Sequence, residues 1–284
     1  MNNMIVTVYI STCNRCDKLK RAVDSVLKQS YPHIELIICD DASTDETHEY
    51  ATLLSKNDPR VKYLRNDKNK GACAARNLGI FSASGHFITG LDDDDEFSVD
   101  RIQYFCDNWD DRFSFLCANF KNIFNDDIED YYSNKERLIF NYNSMLFDNV
   151  ASNQIFTLTS RLREIGGFDI RVKRLQDWDT WLRLSYSFGD FLRLPRSTYS
   201  MHHDHNKDAS RVSKSYSFLQ ALEEIGDRNH DIYGELNIKK LEYTILFYKR
   251  KLTFSKSLHW AYITKSPKSI IKYFYQFVSP RKLD

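Results

Sequence analysis

Gly85-His-Phe-Ile-Thr-Gly-Leu91-Asp92-Asp-Asp-Asp95 decides the fold: an apolar, strand-length segment delivers four aspartates at its carboxyl end. Three strand-helix units precede it. Met4-Ile-Val-Thr-Val-Tyr-Ile10 is rich in β-branched residues, and residues 17–30 then place Leu19, Ala22, Val23, Val26 and Leu27 on one helical face. Residues 34–39 repeat the strand signal and end in Asp40-Asp41-Ala-Ser-Thr-Asp45, which runs into a helix to Lys56 capped by Ser43, Thr44 or Asp45. Val61-Lys-Tyr-Leu-Arg65 is a third strand and residues 72–83 a third helix. This alternation predicts an α/β fold with a Rossmann-like, mostly parallel sheet flanked by helices. Ligands of such sheets bind beyond the carboxyl ends of the strands, so residues 11–15, 40–45 and 92–95 are expected in one site.

Downstream, residues 98–109 read as a helix, 113–119 as a strand and 125–136 as a polar stretch. Residues 216 to about 250 read as helix, followed by alternating aromatic and basic residues from Phe254 to Phe277. The expected organisation is one α/β domain over 1–215, in two halves at 1–97 and 98–215. A helical, basic and aromatic C-terminal extension over 216–284 completes it. Hydrophobic residues at 42% and charged residues at 28% suit a folded domain. The net charge of +1 conceals an asymmetry, because residues 238–284 hold 11 Lys and Arg against 2 Asp and Glu. No apolar run approaches the roughly 20 residues that span a bilayer, and residues 5–10 are too short for a signal-peptide core, so a cytosolic chain is expected. Six cysteines in that setting are expected as thiols; the lone Cys13-x-x-Cys16 pair lacks a second pair for zinc and a thioredoxin-like context for redox work.

Four consecutive aspartates repel one another unless water screens them or a cation binds. Hard divalent cations prefer oxygen ligands, and Mg²⁺ or Mn²⁺ takes one or two carboxylates, filling its shell with phosphates and water. Asp92 and Asp94 alternate along an extended segment and can share one ion; the competing reading is an acidic turn before the next helix. Asp41, at another strand end, can accept the imide N–H of uracil or a ribose hydroxyl, or belong to a helix cap. Arg76 opens the helix after Gly71-Ala-Cys-Ala-Ala and can reach a phosphate or a pyrimidine edge, or serve structure alone.

With these residues in place, the chain resembles glycosyltransferase family 2, whose catalytic domain has the GT-A fold. The likeness spans about residues 4–212. It rests on Ser11-Thr-Cys-Asn-Arg15, Asp40-Asp41-Ala-Ser-Thr-Asp45, Asn69-Lys-Gly-Ala-Cys-Ala-Ala-Arg-Asn77, Gly85-His-Phe-Ile, Leu91-Asp-Asp-Asp-Asp95, and Gly166-Gly-Phe-Asp169 followed by Gln176-Asp-Trp-Asp179. Cys13 stands where the family often has an aromatic residue, and Gln176 where Glu commonly precedes the catalytic aspartate. The resemblance implies a nucleotide-sugar site of Ser11, Thr12, Arg15, Asp41, Arg76, Asp92 and Asp93, in which Asp93 contacts ribose. Asp92 and Asp94 would hold the metal diphosphate, with Mn²⁺ or Mg²⁺ as cofactor. Tyr199-Ser-Met-His202 resembles the family's Tyr-x-x-His element, which brings His202 to the metal, with His203 or His205 as substitutes. Asp177 stands at the position of the catalytic base.

The expected chemistry is a single displacement. Stabilising the departing UDP is metal-ion work, and Asp177 takes the proton of the acceptor hydroxyl, inverting the anomeric centre to a β-linkage. A hexose, Gal or Glc, is the expected group. Trp178 beside the base can stack on an acceptor sugar or belong to the core, and Arg211 and Lys214 can close over the diphosphate or be solvated charges. The resemblance also implies a polyprenyl-diphosphate-linked saccharide as acceptor, in bacterial O-antigen or capsule assembly. The basic aromatic tail suits the cytoplasmic face of an inner membrane; packing on the catalytic domain is the alternative, and no nucleic-acid motif accompanies it. An Asp-x-Asp phosphatase expects its motif after the first strand. A dehydrogenase or P-loop enzyme expects glycine-rich turns that are missing. A nucleotide-sugar-binding subunit without turnover would not need Asp177.

Overall fold

Parallel strands buried on both faces form the centre of the molecule, as continuous apolar runs require. The computed structural model describes residues 4–124, 127–152, 154–203 and 216–278. The described residues form two compact units, one of 4–172 with 176–203 and one of 173–175 with 216–278.

The first unit begins with β1 (Val6–Thr12), α1 (Cys16–Leu27), β2 (Ile34–Asp40), α2 (Thr47–Asn57), β3 (Val61–Arg65), α3 (Ala72–Ser82) and β4 (Phe87–Asp92). The strands lie parallel in the order β3-β2-β1-β4. Their register brings the three polar segments together: Ser11 lies opposite both Cys39 and Asp92, and Thr12 opposite Asp40. Helix α3 sits close on β1 and β2 because residue 79 is glycine; a Cβ there would stand 2.6 Å from Tyr9 Cβ and 2.8 Å from Cys39 Sγ. The cap of α2 differs from expectation. Its N-cap is Glu46, without a side-chain bond. Asp45, one residue outside, accepts from the Thr47 N–H at 3.1 Å and from the Cys16 N–H at 3.0 Å, so one carboxylate serves the starts of two helices.

Beyond β4 come β5 (Glu96–Phe97), α4 (Arg101–Asn108), β6 (Leu116–Phe124), β7 (Asp127–Asp130), β8 (Leu138–Phe140), α5 (Tyr142–Met145), β9 (Phe156–Leu158), α6 (Thr159–Glu164), α7 (Gln176–Phe188) and β10 (Phe191–His202). The sheet continues β4-β9-β6-β10-β5, with β7 on β6 and β8 on β10. β9 runs antiparallel to β4 and β6, and β10 parallel to β6. The polar stretch at 125–136 therefore contains a strand: Asp127–Asp130 pairs antiparallel with β6 and is exposed along its length, which hides it from a hydrophobic pattern. The strand expected at 113–119 starts and ends later. An aromatic cluster packs this junction, with Phe156 stacked on Phe87 at 4.8 Å and on Phe105 at 5.2 Å.

The second unit holds α8 (Phe218–Arg228), α9 (His230–Tyr248), α10 (Phe254–Thr264) and α11 (Lys268–Val278). The single helix expected from 216 to about 250 is broken before His230, and Gly234 (φ 66°) interrupts α9. Tyr243, Leu252 and Trp260 form a small core. No helix among the described residues is long and apolar enough to cross a membrane.

Candidate active site

The chain after β4 divides its four aspartates by direction. Asp93 and Asp95 turn inward and are 5% and 3% exposed. The side chains of Asp92 and Asp94 are more open, at 26% and 15%. The segment is not extended as expected: Asp93 and Asp94 occupy a turn, closed by the Asp95 N–H on the Asp92 carbonyl at 3.1 Å. Asp93 accepts from Thr12 Oγ1 at 2.7 Å and from the Arg15 guanidinium at 3.0 Å. Burial nevertheless pushes its carboxyl up to about 6 against the pull of Arg15. Asp95 accepts from Tyr199 Oη at 2.6 Å and the His202 N–H at 2.9 Å, and burial, with Asp92 and Asp94 nearby, pushes it to about 8.

Asp92 Oδ1 accepts from Arg76 at 3.0 Å and from Gln154 Nε2 at 3.1 Å. Asp94 meets Arg15 at 3.2 Å, and the Arg21 guanidinium donates to its main-chain carbonyl. Burial and then Asp92 raise the proton affinity of Asp94. Two half-open carboxylates with this mutual repulsion are what a hard cation relieves. Among the described residues, no group of three or more His, Cys, Asp or Glu side chains is placed to hold a metal. An ion held by Asp92 and Asp94 alone would need its remaining ligands from outside the protein. His202, the expected third ligand, has its Nε2 on Glu96 at 2.6 Å. His203 stacks on Phe124 at 4.1 Å and bonds Asn122 at 2.9 Å. His205, Arg211 and Lys214 lie outside the described residues.

Asp41 is 3% exposed and braces the turn before α3. It accepts from Asn66 Nδ2 at 2.7 Å, the Lys70 N–H at 2.9 Å and the Gly71 N–H at 2.7 Å, which leaves at most one acceptor direction for a base or ribose. Ser11 is half-buried at the row it shares with Asp92. Cys13 packs between the Asp41 carbonyl and Asn69, whose Nδ2 donates to its sulfur at 3.3 Å.

Across the cleft, α7 opens with Gln176 and Asp177. Arg76, 8% exposed, joins the two sides: it donates to Gln176 Oε1 at 2.5 Å and to Asp92 at 3.0 Å, and its NH1 stands 3.9 Å from Asp177 Oδ1. Its guanidinium also lies over the Phe168 ring at 5.1 Å. The Oδ1 of Asp177 is buried and has no hydrogen-bond partner. Burial pushes this carboxyl up to about 7; Arg76 holds it back and Asp92 adds to the rise. A carboxylate so placed is a proton acceptor at neutral pH. Trp178 turns the other way. It is 5% exposed, and its ring N–H donates to the Met145 carbonyl, so its ring is part of the core and offers no sugar-stacking face.

Several residues that the sequence did not single out complete the site. Gln154 fixes Asp92, and Tyr199 fixes Asp95; the first sits in an irregular segment without a pattern, while the second belongs to the quoted Tyr-x-x-His element. Asn77 clamps the Gly166-Gly-Phe-Asp169 turn through Phe168, accepting its N–H at 2.9 Å and donating to its carbonyl at 2.8 Å. Arg183 grips the Ile165 and Gly167 carbonyls, each at 2.8 Å. Neighbouring residues of one helix, Arg76 and Asn77, thus tie α3 to the segment that carries Phe168 and Gln176.

Comparison with known proteins shows which family the sequence and fold resemble. The family model described as Glycosyl transferase family 2 matches residues 7–165. WcaA of Escherichia coli strain K12, named for colanic acid biosynthesis, is 37% identical over 222 residues, which cover 72% of this chain and 75% of WcaA. WfgD of Escherichia coli, named as a UDP-Glc:alpha-D-GlcNAc-diphosphoundecaprenol beta-1,3-glucosyltransferase, is 32% identical over 142 residues, covering 50% of this chain and 55% of WfgD. Among solved structures, residues 1–349 of Staphylococcus aureus TarS in complex with UDP-GlcNAc superpose with a TM-score of 0.69 at 15% identity, over 96% of this chain and 79% of that one. That likeness is one of fold, a mixed α/β architecture of GT-A type.

Proposed function

The chain belongs to glycosyltransferase family 2 and is a glycosyltransferase, and from that premise we propose that it moves a hexose, Gal or Glc, from a UDP-sugar to an acceptor hydroxyl with inversion. The acceptor in this reading is a polyprenyl-diphosphate-linked saccharide of a bacterial surface polysaccharide. WfgD, named for such a lipid-linked acceptor, and WcaA, named for a polysaccharide pathway, support that choice. The observation that carries the reading is Arg76, which meets Asp92 at 3.0 Å on the donor side and Asp177 at 3.9 Å on the acceptor side.

Asp92 and Asp94 would hold Mn²⁺ or Mg²⁺ with the diphosphate, and a bound divalent ion supplies neutralisation of the charge that develops on departing UDP. Arg76 adds a fixed positive charge beside Asp92, pre-oriented by Gln176. Ser11, Thr12, Arg15, Asp41 and Asp93 form the nucleotide end, where Thr12 and Arg15 keep Asp93 in place and Asp41 shapes the loop at residues 66–71. Asp177, whose side chain is 23% exposed with Oδ1 turned in toward Arg76, accepts the proton of the acceptor hydroxyl on its other oxygen, and the acceptor oxygen attacks the anomeric carbon as the bond to UDP breaks. The basic, aromatic second unit is read as the part that meets an anionic membrane, which would place the enzyme at the cytoplasmic face of the inner membrane.

The test is transfer itself. Purified protein incubated with Mn²⁺, a panel of UDP-sugars and a lipid-diphosphate-linked sugar should release UDP and form a β-linked product with one UDP-hexose. UDP-sugar binding without product in the whole panel would favour a non-catalytic binding subunit.

A further inference from the structure

The second unit contains a cavity that sugar transfer does not use. It lies between α9 and α10 and measures about 360 Å³. Tyr243, Leu246 and Trp260 line its floor, and Lys239, Lys256 and His259 stand at its rim beside one acid, Glu242. The floor is held in place: Tyr243 Oη donates to the Ser269 carbonyl at 2.9 Å, and the Tyr243 and Trp260 rings meet at 5.6 Å. Lys239 and Lys256 are exposed, and among the described residues neither is in an ion pair. An apolar floor under free ammonium groups suits a ligand with an anionic head and a hydrocarbon body.

Helix geometry extends that match. Ser255, His259 and Ile263 line the cavity at intervals of four residues. One position before each stand Phe254, Leu258 and Tyr262, so this second stripe lies about 100° round the helix from the first. Its side chains are 48%, 51% and 84% exposed. A soluble anion would leave this apolar stripe in water, whereas a lipid would cover it.

We propose that the α9–α10 cavity receives the phosphate headgroup of an anionic lipid, with its hydrocarbon chain lying along Phe254, Leu258 and Tyr262. The proposal rests on the membrane reading given above and narrows it to one site. Lys239 and Lys256 neutralise the phosphate, while Trp260 and Tyr243 form the apolar base on which the glycerol or prenyl carbons rest.

Flotation of the full-length protein with vesicles of phosphatidylcholine, alone or with phosphatidic acid, tests this. Binding is expected only to the vesicles with phosphatidic acid. The variant K239E/K256E should lower it about tenfold or more, since each basic residue near the surface matters at that scale. L258S/Y262S should also lose binding. K265E/K268E, with the same change of charge outside the cavity, should lose several-fold less than K239E/K256E, because it removes only general attraction to the surface. UDP affinity is expected to be unchanged in all three variants, which reports that the protein remains folded. Equal losses in K239E/K256E and K265E/K268E would overturn the cavity and leave membrane binding standing. Release of wild-type protein by inorganic phosphate would overturn the lipid assignment in favour of a free-anion site. Failure of the wild type to float with either vesicle would overturn both readings.

Discussion

Replacing Asp177 with asparagine keeps the shape of the side chain and removes its ability to accept a proton. Burial lifts the Asp177 carboxyl to about 7 against the pull of Arg76. About a tenth of the group is then ionised at about pH 6 and about nine-tenths at about pH 8. If Asp177 is the base, wild-type kcat rises with pH, about tenfold per unit below 7, and levels off above about 8. Asp177→Asn should lower kcat by about 10²–10⁴-fold on the plateau above about pH 8, or about 3–5 kcal/mol of barrier, with the gap narrowing as the wild-type rate falls below about pH 7, while UDP-sugar affinity stays within about twofold. The same shift has the opposite sign for stability. The folded carboxyl holds its proton more tightly than the unfolded chain does, so this group's contribution is complete below about pH 4 and is lost as pH rises to about 7. Asparagine, neutral throughout, escapes that loss. Because burial outweighs Arg76 among the causes, the variant should melt no lower than wild type at about pH 8. Initial rates of UDP release across pH, calorimetric UDP-sugar binding and thermal melting supply the three readouts. A variant that keeps more than about a tenth of wild-type kcat on that plateau, or a wild-type profile flat from about pH 6 to 8, would refute the reasoning.

Asp94→Ala should reduce transfer at least about 100-fold and abolish the gain in UDP affinity on adding Mn²⁺; calorimetry in which Mn²⁺ still tightens UDP would remove Asp94 from the metal site. Asp41→Ala deprives Asn66 Nδ2 and the Lys70 and Gly71 N–H groups of their acceptor, so urea unfolding should show a loss of about 2–4 kcal/mol together with weaker UDP binding. Gly90→Ala would set a Cβ 2.2 Å from Gln154 Oε1 and 2.6 Å from Tyr9 Cζ, so about 1–3 kcal/mol of stability should go as Gln154 is displaced from Asp92. Wild-type melting in that variant would show that Gln154 yields freely.

The first half of the fold was legible because its signals are local and repeated. Strand β3 matches its expected bounds at Val61–Arg65 and α3 differs by one residue, while β1, β2 and β4, buried parallel strands, read as apolar runs whatever they pair with. The second half was not legible to the same degree. β9 is three residues long and pairs with β4, distant in sequence, while β7 is exposed throughout and owes its place to pairing with the preceding β6, so neither leaves a hydrophobic period of its own. Gly234 shows the same limit in the helical unit, where the residue that breaks α9 stands inside an otherwise continuous pattern.

In the site, residue type announced the carboxylates, but only packing assigned them. Asp92 to Asp95 are chemically identical, and what separates them is whether the segment turns each toward Thr12, Arg76, Arg15 or Tyr199. Trp178 illustrates the converse: its place beside Asp177 in sequence suggested a sugar platform, yet one residue along a helix is a rotation of about 100°, which carries the ring into the core. Gln176 is where this reasoning goes furthest. Arg76 is buried among Asp92, Asp177 and residue 176, and its single positive charge already serves two carboxylates. A glutamate at 176 would add a third negative charge within hydrogen-bond distance of Arg76 and draw its field away from Asp177. Glutamine takes the same hydrogen bond through a neutral carbonyl, so the arginine stays oriented while its charge remains shared between Asp92 and Asp177. The departure from the family pattern therefore falls at the one neighbour of Arg76 that can lose its charge without losing its bond.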